Sequence, residues 1–190
     1  MSELLFIQLN VLEELARGSP AITTAACFET IFHLLDSSSG KEIDESCWQL
    51  ILSVLMTAVA VNSSSGSDQA TLATAFRSLE LIVTDFLPNL SSQSGSLALA
   101  ITTVGCFARQ SVLDSNPSLT AIQGHLWNIA DFIASDLVLS KSASLWMALF
   151  KELQYLCTDS RHEIRSAAVV TLFKTISAHS KLFAVSTWES

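Results

Sequence analysis

The side chains with the most chemistry to offer lie in the second half of the chain. Asp159, Arg161 and Arg165 stand close together in the run Asp159 to Ala168. An aspartate at a turn can accept from the free N–H groups of the helix that follows. Arg165, in the first turns of that helix, can reach carboxylates in neighbouring turns, and a ladder of such pairs would tie stacked helix pairs together. Arg161 and Arg165 are also one helical turn apart, a spacing that could grip a phosphate, but the ladder already accounts for Arg165. The other group is Trp127, Asn128 and Asp131. Asn128 and Asp131 share one turn of a segment that is otherwise apolar, and they read either as solvated groups beside a packed Trp127 or as a polar spot on a concave binding surface. These six residues are the candidate repeat-ladder or partner surface.

Catalytic patterns are missing from the rest. The six glycines are scattered, so no phosphate-binding loop, dinucleotide fingerprint or G-x-S-x-G elbow can be drawn. His33, His125, His162 and His179 share no ligand spacing, and no zinc motif occurs. Glu13 and Glu14 are adjacent on a helix, which reads as a solvated face rather than an acid pair. Cys106 follows Gly105 in an apolar run with no histidine near it in sequence, and reads as a structural thiol. The expectation is a chain that is not an enzyme and holds no cofactor and no metal.

Composition narrows the class. Hydrophobic residues make up 49% and charged residues 15%, which excludes a disordered chain. The formal net charge of -8 argues against nucleic acid as a partner, since phosphate neutralisation needs a surplus of Lys and Arg. The most apolar stretch, Trp48 to Val61, is broken by Gln49, Ser53 and Thr57 and is shorter than the roughly 20 residues of a span. It reads as a buried helix, with no transmembrane segment. Cys27, Cys47, Cys106 and Cys157 are far apart in apolar surroundings, as reduced thiols of a cytoplasmic protein would be.

These residues must be positioned by helices. Serine-rich breaks fall at Asp36 to Lys41, Asn62 to Ser67, Ser91 to Ser96, Leu113 to Pro117 and Asp136 to Ser142, with tighter ones at Gly18 to Pro20 and Thr158 to Ser160. The intervals predict helices over 2–16, 21–35, 44–61, 68–87, 95–110, 118–135, 143–157 and 161–178. Leu72, Phe76, Leu79, Val83 and Phe86 recur at steps of three and four, as do Leu119, Ile122, Leu126, Ile129 and Ile133. Such stripes must bury against neighbours. Asp44, Asp68 and Pro117 supply start signals. About four antiparallel helix pairs at this spacing predict an all-α, HEAT/armadillo-like α-α superhelix, with residues 1–190 as a single repeat domain.

A family resemblance then adds a function. Leu79 to Pro88, Thr120 to Phe132, Leu145-Trp146, Asp159 to Ala168, Leu172 to His179 and Ser186 to Glu189 follow one another as in the Mon-two family of Golgi and endosome trafficking proteins. That family is related to the BIG/Sec-seven large Arf exchange factors. Arg165 and Trp188 resemble both, while Leu126 to Asp131 resembles Mon-two proteins more. The resemblance is good over Leu72 to Ser190 and architectural before that; Ser91 to Ser96 and the helix after it depart from it. It implies a non-catalytic scaffold segment downstream of where an exchange factor carries its catalytic domain, in a protein peripheral on trans-Golgi and endosome membranes. The implied partners are a Dopey-type protein, Arf-like GTPases and a phospholipid flippase, in endosome-to-Golgi transport. The alternative is the regulatory downstream region of an active exchange factor. The chain is expected to be a piece of a larger repeat protein. Its C-terminal end, with Leu182, Phe183 and Trp188 uncovered, is expected to self-associate.

Overall fold

The computed structural model describes residues 2–18, 21–37, 43–65, 69–90, 94–110 and 115–183. Among them the chain is helical throughout, with no strand. The chain packs as two compact units, Met1–Leu99 and Ala100–Ser190.

In the first unit, α1 (Ser2–Gly18) and α2 (Ala21–Ser37) form one antiparallel pair, and α3 (Glu45–Ser65) and α4 (Gln69–Asp85) form the next. α1 lies along α3 and α2 along α4, the stacking of successive repeats. A single turn, α5 (Leu87–Leu90), follows α4. The helices pack because each carries the expected stripe: Leu72, Ala75, Phe76, Leu79, Ile82 and Val83 of α4 are buried. α3 is buried nearly all round, through Cys47, Trp48, Leu50, Ile51, Leu52, Val54 and Leu55. Asp44 caps it, accepting from the Cys47 N–H at 2.9 Å. Burial, and then Asp44, push the Cys47 thiol up to about 11, so it stays protonated. Cys27 is likewise buried, whereas Cys106 and Cys157 are partly exposed; all four thiols are free.

Some expectations need correction. α2 and α3 run on through Ser37 and Ser65, into the predicted breaks, because serine is tolerated in a last turn; the Ser37 hydroxyl donates to the Leu34 carbonyl at 3.2 Å. Asp68 lies outside the described residues. Glu13 is not on a solvated face: it accepts from the Ser53 hydroxyl of α3 at 2.8 Å and from Arg17 at 2.7 Å.

α6 (Ser94–Ala108) is followed by a helix in three parts. α7 (Ser115–Leu119) opens two residues before Pro117, widens into a π-helical stretch over Thr120–Leu126, and resumes as α8 (Trp127–Ser135). Asp136 to Ser142 is not an open break. The Asp136 carboxylate accepts from the N–H groups of Leu139 and Val138, which lower its pKa, and the turn Leu139–Lys141 buries Leu139 and Ser140. α9 (Ala143–Leu156) and α10 (His162–His179) close the unit as an antiparallel pair. Phe183, expected to be uncovered, is buried: it meets the Trp146 ring edge-on at 4.8 Å and the Phe150 ring at 5.3 Å. Trp188 lies outside the described residues. Among the described residues no helix is long and apolar enough to cross a membrane.

The end of α6 meets α9 through a partly buried polar contact. Glu152 is buried and paired with Arg109, whose guanidinium also reaches Cys106 Sγ at 3.2 Å. Burial works against the Arg109 charge, and Glu152 outweighs it, raising the guanidinium further. Gly105 makes room for this carboxylate. A Cβ there would lie 2.7 Å from Glu152 Cδ, closer than real contacts allow. Gly124, in the π-helical stretch, has open surroundings, with Thr120 Cγ2 at 3.8 Å from an added Cβ.

Glycine to alanine inside a helix ordinarily gains about 0.5 to 1 kcal/mol. Gly124→Ala is expected to show that gain in urea denaturation. Gly105→Ala is expected to lose about 1 to 2 kcal/mol net, because overpacking outweighs propensity. Equal shifts in the two variants would mean that Glu152 does not press on α6.

Candidate functional site

The turn between α9 and α10 holds the densest polar network among the described residues. Cys157 and Thr158 end α9 by donating to the Leu153 and Tyr155 carbonyls. Asp159 follows with its side chain turned inward. Its carboxylate accepts from the backbone N–H of Arg161 at 2.8 Å, from Arg161 Nε at 2.9 Å and from Arg161 Nη2 at 2.9 Å. The same guanidinium extends away from its own turn. Nη2 donates to the Ala108 carbonyl at 2.8 Å, and Nη1 donates to the Gln110 carbonyl at 2.9 Å and the Ser118 hydroxyl at 3.3 Å. A guanidinium has five N–H donors, so each of them has an acceptor.

The arrangement answers a local need. The last carbonyls of a helix have no partner within it and carry partial negative charge. Arg161 satisfies those at the end of α6, reaches the start of α7, and is held in place by Asp159. Hydrogen bonds from Arg161 hold the Asp159 carboxyl below the usual carboxylate range, against the opposing effect of burial. The same bonds raise the Arg161 guanidinium.

This reassigns two roles. Arg165, expected to form the ladder between helix pairs, stays within its own turn: its Nη1 donates to the carbonyls of Asp159 and Ser160 at 2.8 and 2.7 Å. Arg161 makes the ladder instead, because it stands at the turn and not inside α10, and so can point across to α6. Asp159 accepts from the N–H of Arg161, just ahead of α10, and not from N–H groups within the helix. With every donor engaged, Arg161 has none to offer a phosphate.

Trp127, Asn128 and Asp131 lie at the start of α8, just past the π-helical stretch. A wider turn rotates everything after it, and here it sets Trp127 against α10. The Trp127 ring stacks on His179 at 5.6 Å between centroids, and Lys174 Nζ lies 3.6 Å from the Trp127 centroid. His179 also faces Trp146 at 5.9 Å, and its Nε2 is 3.9 Å from an Asp131 carboxylate oxygen. Asn128 and Asp131 are exposed and Trp127 half-buried. Trp127 and Asp131 therefore share one patch with Lys174 and His179, residues that no spacing in the sequence connected to them. The Asp159 network is separate from it. Gly105, Arg109 and Glu152 were also missed, although a lone glutamate inside the apolar stripe of α9 was a signal. Among the described residues no group of three or more His, Cys, Asp or Glu is placed to hold a metal ion.

Comparison with known proteins bears on what this surface serves. The family described as the C-terminal region of Mon2 protein matches residues 136–190. The Protein MON2 homolog of Drosophila melanogaster is 32% identical over 99% of the chain. Those of Xenopus laevis and Homo sapiens are 31% and 30% identical over 96% of it. The chain spans 12% of the length of each of these relatives. No solved structure matches it.

Arg161→Ala is expected to cost about 2 to 3 kcal/mol, because it strands two carbonyls, a buried hydroxyl and a carboxylate. Arg165→Ala is expected to cost about 1 kcal/mol. The reverse order in denaturant melts would restore the ladder to Arg165. Since the folded-state pKa of Asp159 is depressed, its contribution is complete above its unfolded value of about 3.9 and is lost as pH falls through the folded one. Asp159→Asn should therefore be less stable than the parent at neutral pH, with the gap closing in acid. A gap independent of pH would mean that the carboxylate charge is not what stabilises the turn.

Proposed function

Because this chain belongs to the Mon2 family, we propose that it is a non-catalytic helical-repeat scaffold segment that acts in endosome-to-Golgi vesicle traffic by binding protein partners. The observation that carries this is the similarity to the Drosophila Mon2 homologue, which runs through 99% of the chain rather than one motif. The geometry supports it. Stacked helix pairs fixed by buried charged contacts hold a surface in shape, which lowers the ordering cost of binding. The patch of Trp127, Asp131, Lys174 and His179 offers an aromatic anchor with polar neighbours, the composition of protein contact sites. In this reading the protein is peripheral on trans-Golgi and endosome membranes. Its partners are a Dopey-type protein, with Arf-like GTPases and a phospholipid flippase in the same assembly.

Affinity capture of a full-length relative from cells is the test. Recovery of a Dopey-type protein is expected, and it should fall severalfold when the counterparts of Trp127 and Asp131 are changed to Ala and Lys. Undiminished recovery would remove this patch from the interface. The purified 190-residue chain is expected not to accelerate nucleotide release from Arf-type GTPases. Acceleration would assign it instead to an exchange factor related to the BIG/Sec-seven proteins.

A further inference from the structure

His179 is a titratable side chain at the meeting point of three helices. It is the last residue of α10. Its ring stacks on Trp127 of α8 at 5.6 Å between centroids and faces Trp146 of α9 at 5.9 Å. The side chain is 11% exposed, and its Nε2 is buried without a hydrogen-bond partner. A buried nitrogen in that state is costly and calls for a reason. Asp131 Oδ1 lies 3.9 Å from it, on a side chain 68% exposed. A carboxylate so exposed is free to swing the roughly 1 Å that would bring it into hydrogen-bond reach.

The surroundings decide what a proton does there. Histidine is the side chain whose ordinary titration falls between about pH 5 and 8. Its neutral ring has a single N–H, while the protonated ring has a donor on each nitrogen and a full charge. Besides Asp131, two features favour the charged form. The last carbonyls of α10 carry partial negative charge, and the Trp127 and Trp146 rings attract a cation to their faces. Burial opposes it. So do Lys174, whose Nζ lies 3.6 Å from the Trp127 centroid, and the exposed Lys181 in the turn that follows. The charged residues of α9 are placed elsewhere, Lys151 over Tyr155 and Glu152 against Arg109. The π-helical stretch packed on α10 brings the buried His125, and α7 brings no ionisable side chain. Among the described residues that face the ring, Asp131 is the one carboxylate.

We propose that His179 is a proton-operated latch between α8 and α10. When the imidazole takes a proton from solvent, Nε2 presents a charged N–H, the Asp131 carboxylate closes on it, and the two helices are tied at the candidate patch. When the proton returns to solvent, the charge that draws Asp131 inward is gone and the carboxylate swings out. One consequence rests on the scaffold reading: the patch offers a partner a free carboxylate only with the latch open, so a partner held through Asp131 binds more weakly as pH falls.

The test follows the 190-residue chain by NMR from about pH 8 to about pH 5, with His179→Gln and Trp127→Phe to assign the signals. The Asp131 carboxyl carbon and the Trp127 indole N–H should move with the same midpoint as the His179 ring. Asp131→Asn should make His179 release its proton at a lower pH than in the parent. Lys174→Met removes an opposing cation and should move the midpoint the other way, while His33, His125 and His162 titrate alike in every chain. Asp131 and Lys174 are exposed, so both variants should keep the parent melting curve near pH 8, which separates a lost latch from a lost fold. A His179 that takes up no proton in the folded chain over this range overturns the proposal. So does a midpoint identical in the parent and Asp131→Asn, or one that answers to Lys174 alone. No partner is present in the measurement, so its failure leaves the capture test on Trp127 and Asp131 standing, and the reverse holds too.

Discussion

The guanidinium of Arg161 is the tie on which the second unit depends. Helix ends are where an all-helical fold is weakest, because each leaves carbonyls or N–H groups without partners. In this unit one side chain serves two elements besides its own: the end of α6 through Ala108 and Gln110, and α7 through Ser118. It does so only because Asp159 orients it from below with two parallel hydrogen bonds. A lysine there would supply charge without the fork, and could not meet four groups in different directions.

The apolar framework was legible in the sequence because burial is a property of spacing. The stripe of Leu72, Phe76, Leu79 and Val83 needs no knowledge of its neighbours to be recognised as a buried face, and it is buried. Helix starts signalled by a local cap, such as Asp44, were equally readable. What was not legible depended on a partner remote in sequence. Arg161 and Arg165 look alike in the chain, and only the position of α6 decides which of them reaches across. Gly105 read as a neutral glycine until Glu152, on a different helix, occupied the space beside it. The π-helical stretch left no mark in the apolar spacing, yet it determines that Trp127 faces His179. Leu126 to Asp131 could single out a family, but not the lysine and histidine that complete the patch.

Charge is distributed as unevenly as the polar contacts. Residues 1–99 carry 3 of the Lys and Arg and 11 of the Asp and Glu, whereas residues 100–190 carry 7 of each. The whole formal charge of -8 therefore resides in the first unit. Within the second, Glu152 and Asp159 are consumed by Arg109 and Arg161. Each pair consumes one acid and one base, so the charges that remain in the second unit stay balanced. A whole-chain charge predicts long-range repulsion from anionic surfaces, but contact is decided within a Debye length, about 8 Å at physiological salt. At that range the second unit presents balanced charge where the average of the chain is acidic.

The same reasoning explains how the second unit keeps one arrangement of its helices. Three of its inner polar contacts are matched pairs: Asp159 with Arg161, Glu152 with Arg109, and the Trp146 N–H with the Ser140 carbonyl at 2.9 Å. Unmatched, each would cost more than it contributes when paired, so these contacts fix one register of the helices and penalise others. A fixed register holds the outward side chains at set positions. Trp127 and Asp131 on α8 then keep a constant relation to Lys174 and His179 on α10, although α9 and two turns separate the two helices in the chain. In the proposed role of holding partners that constancy is the chemistry, and it is produced in the interior rather than at the surface.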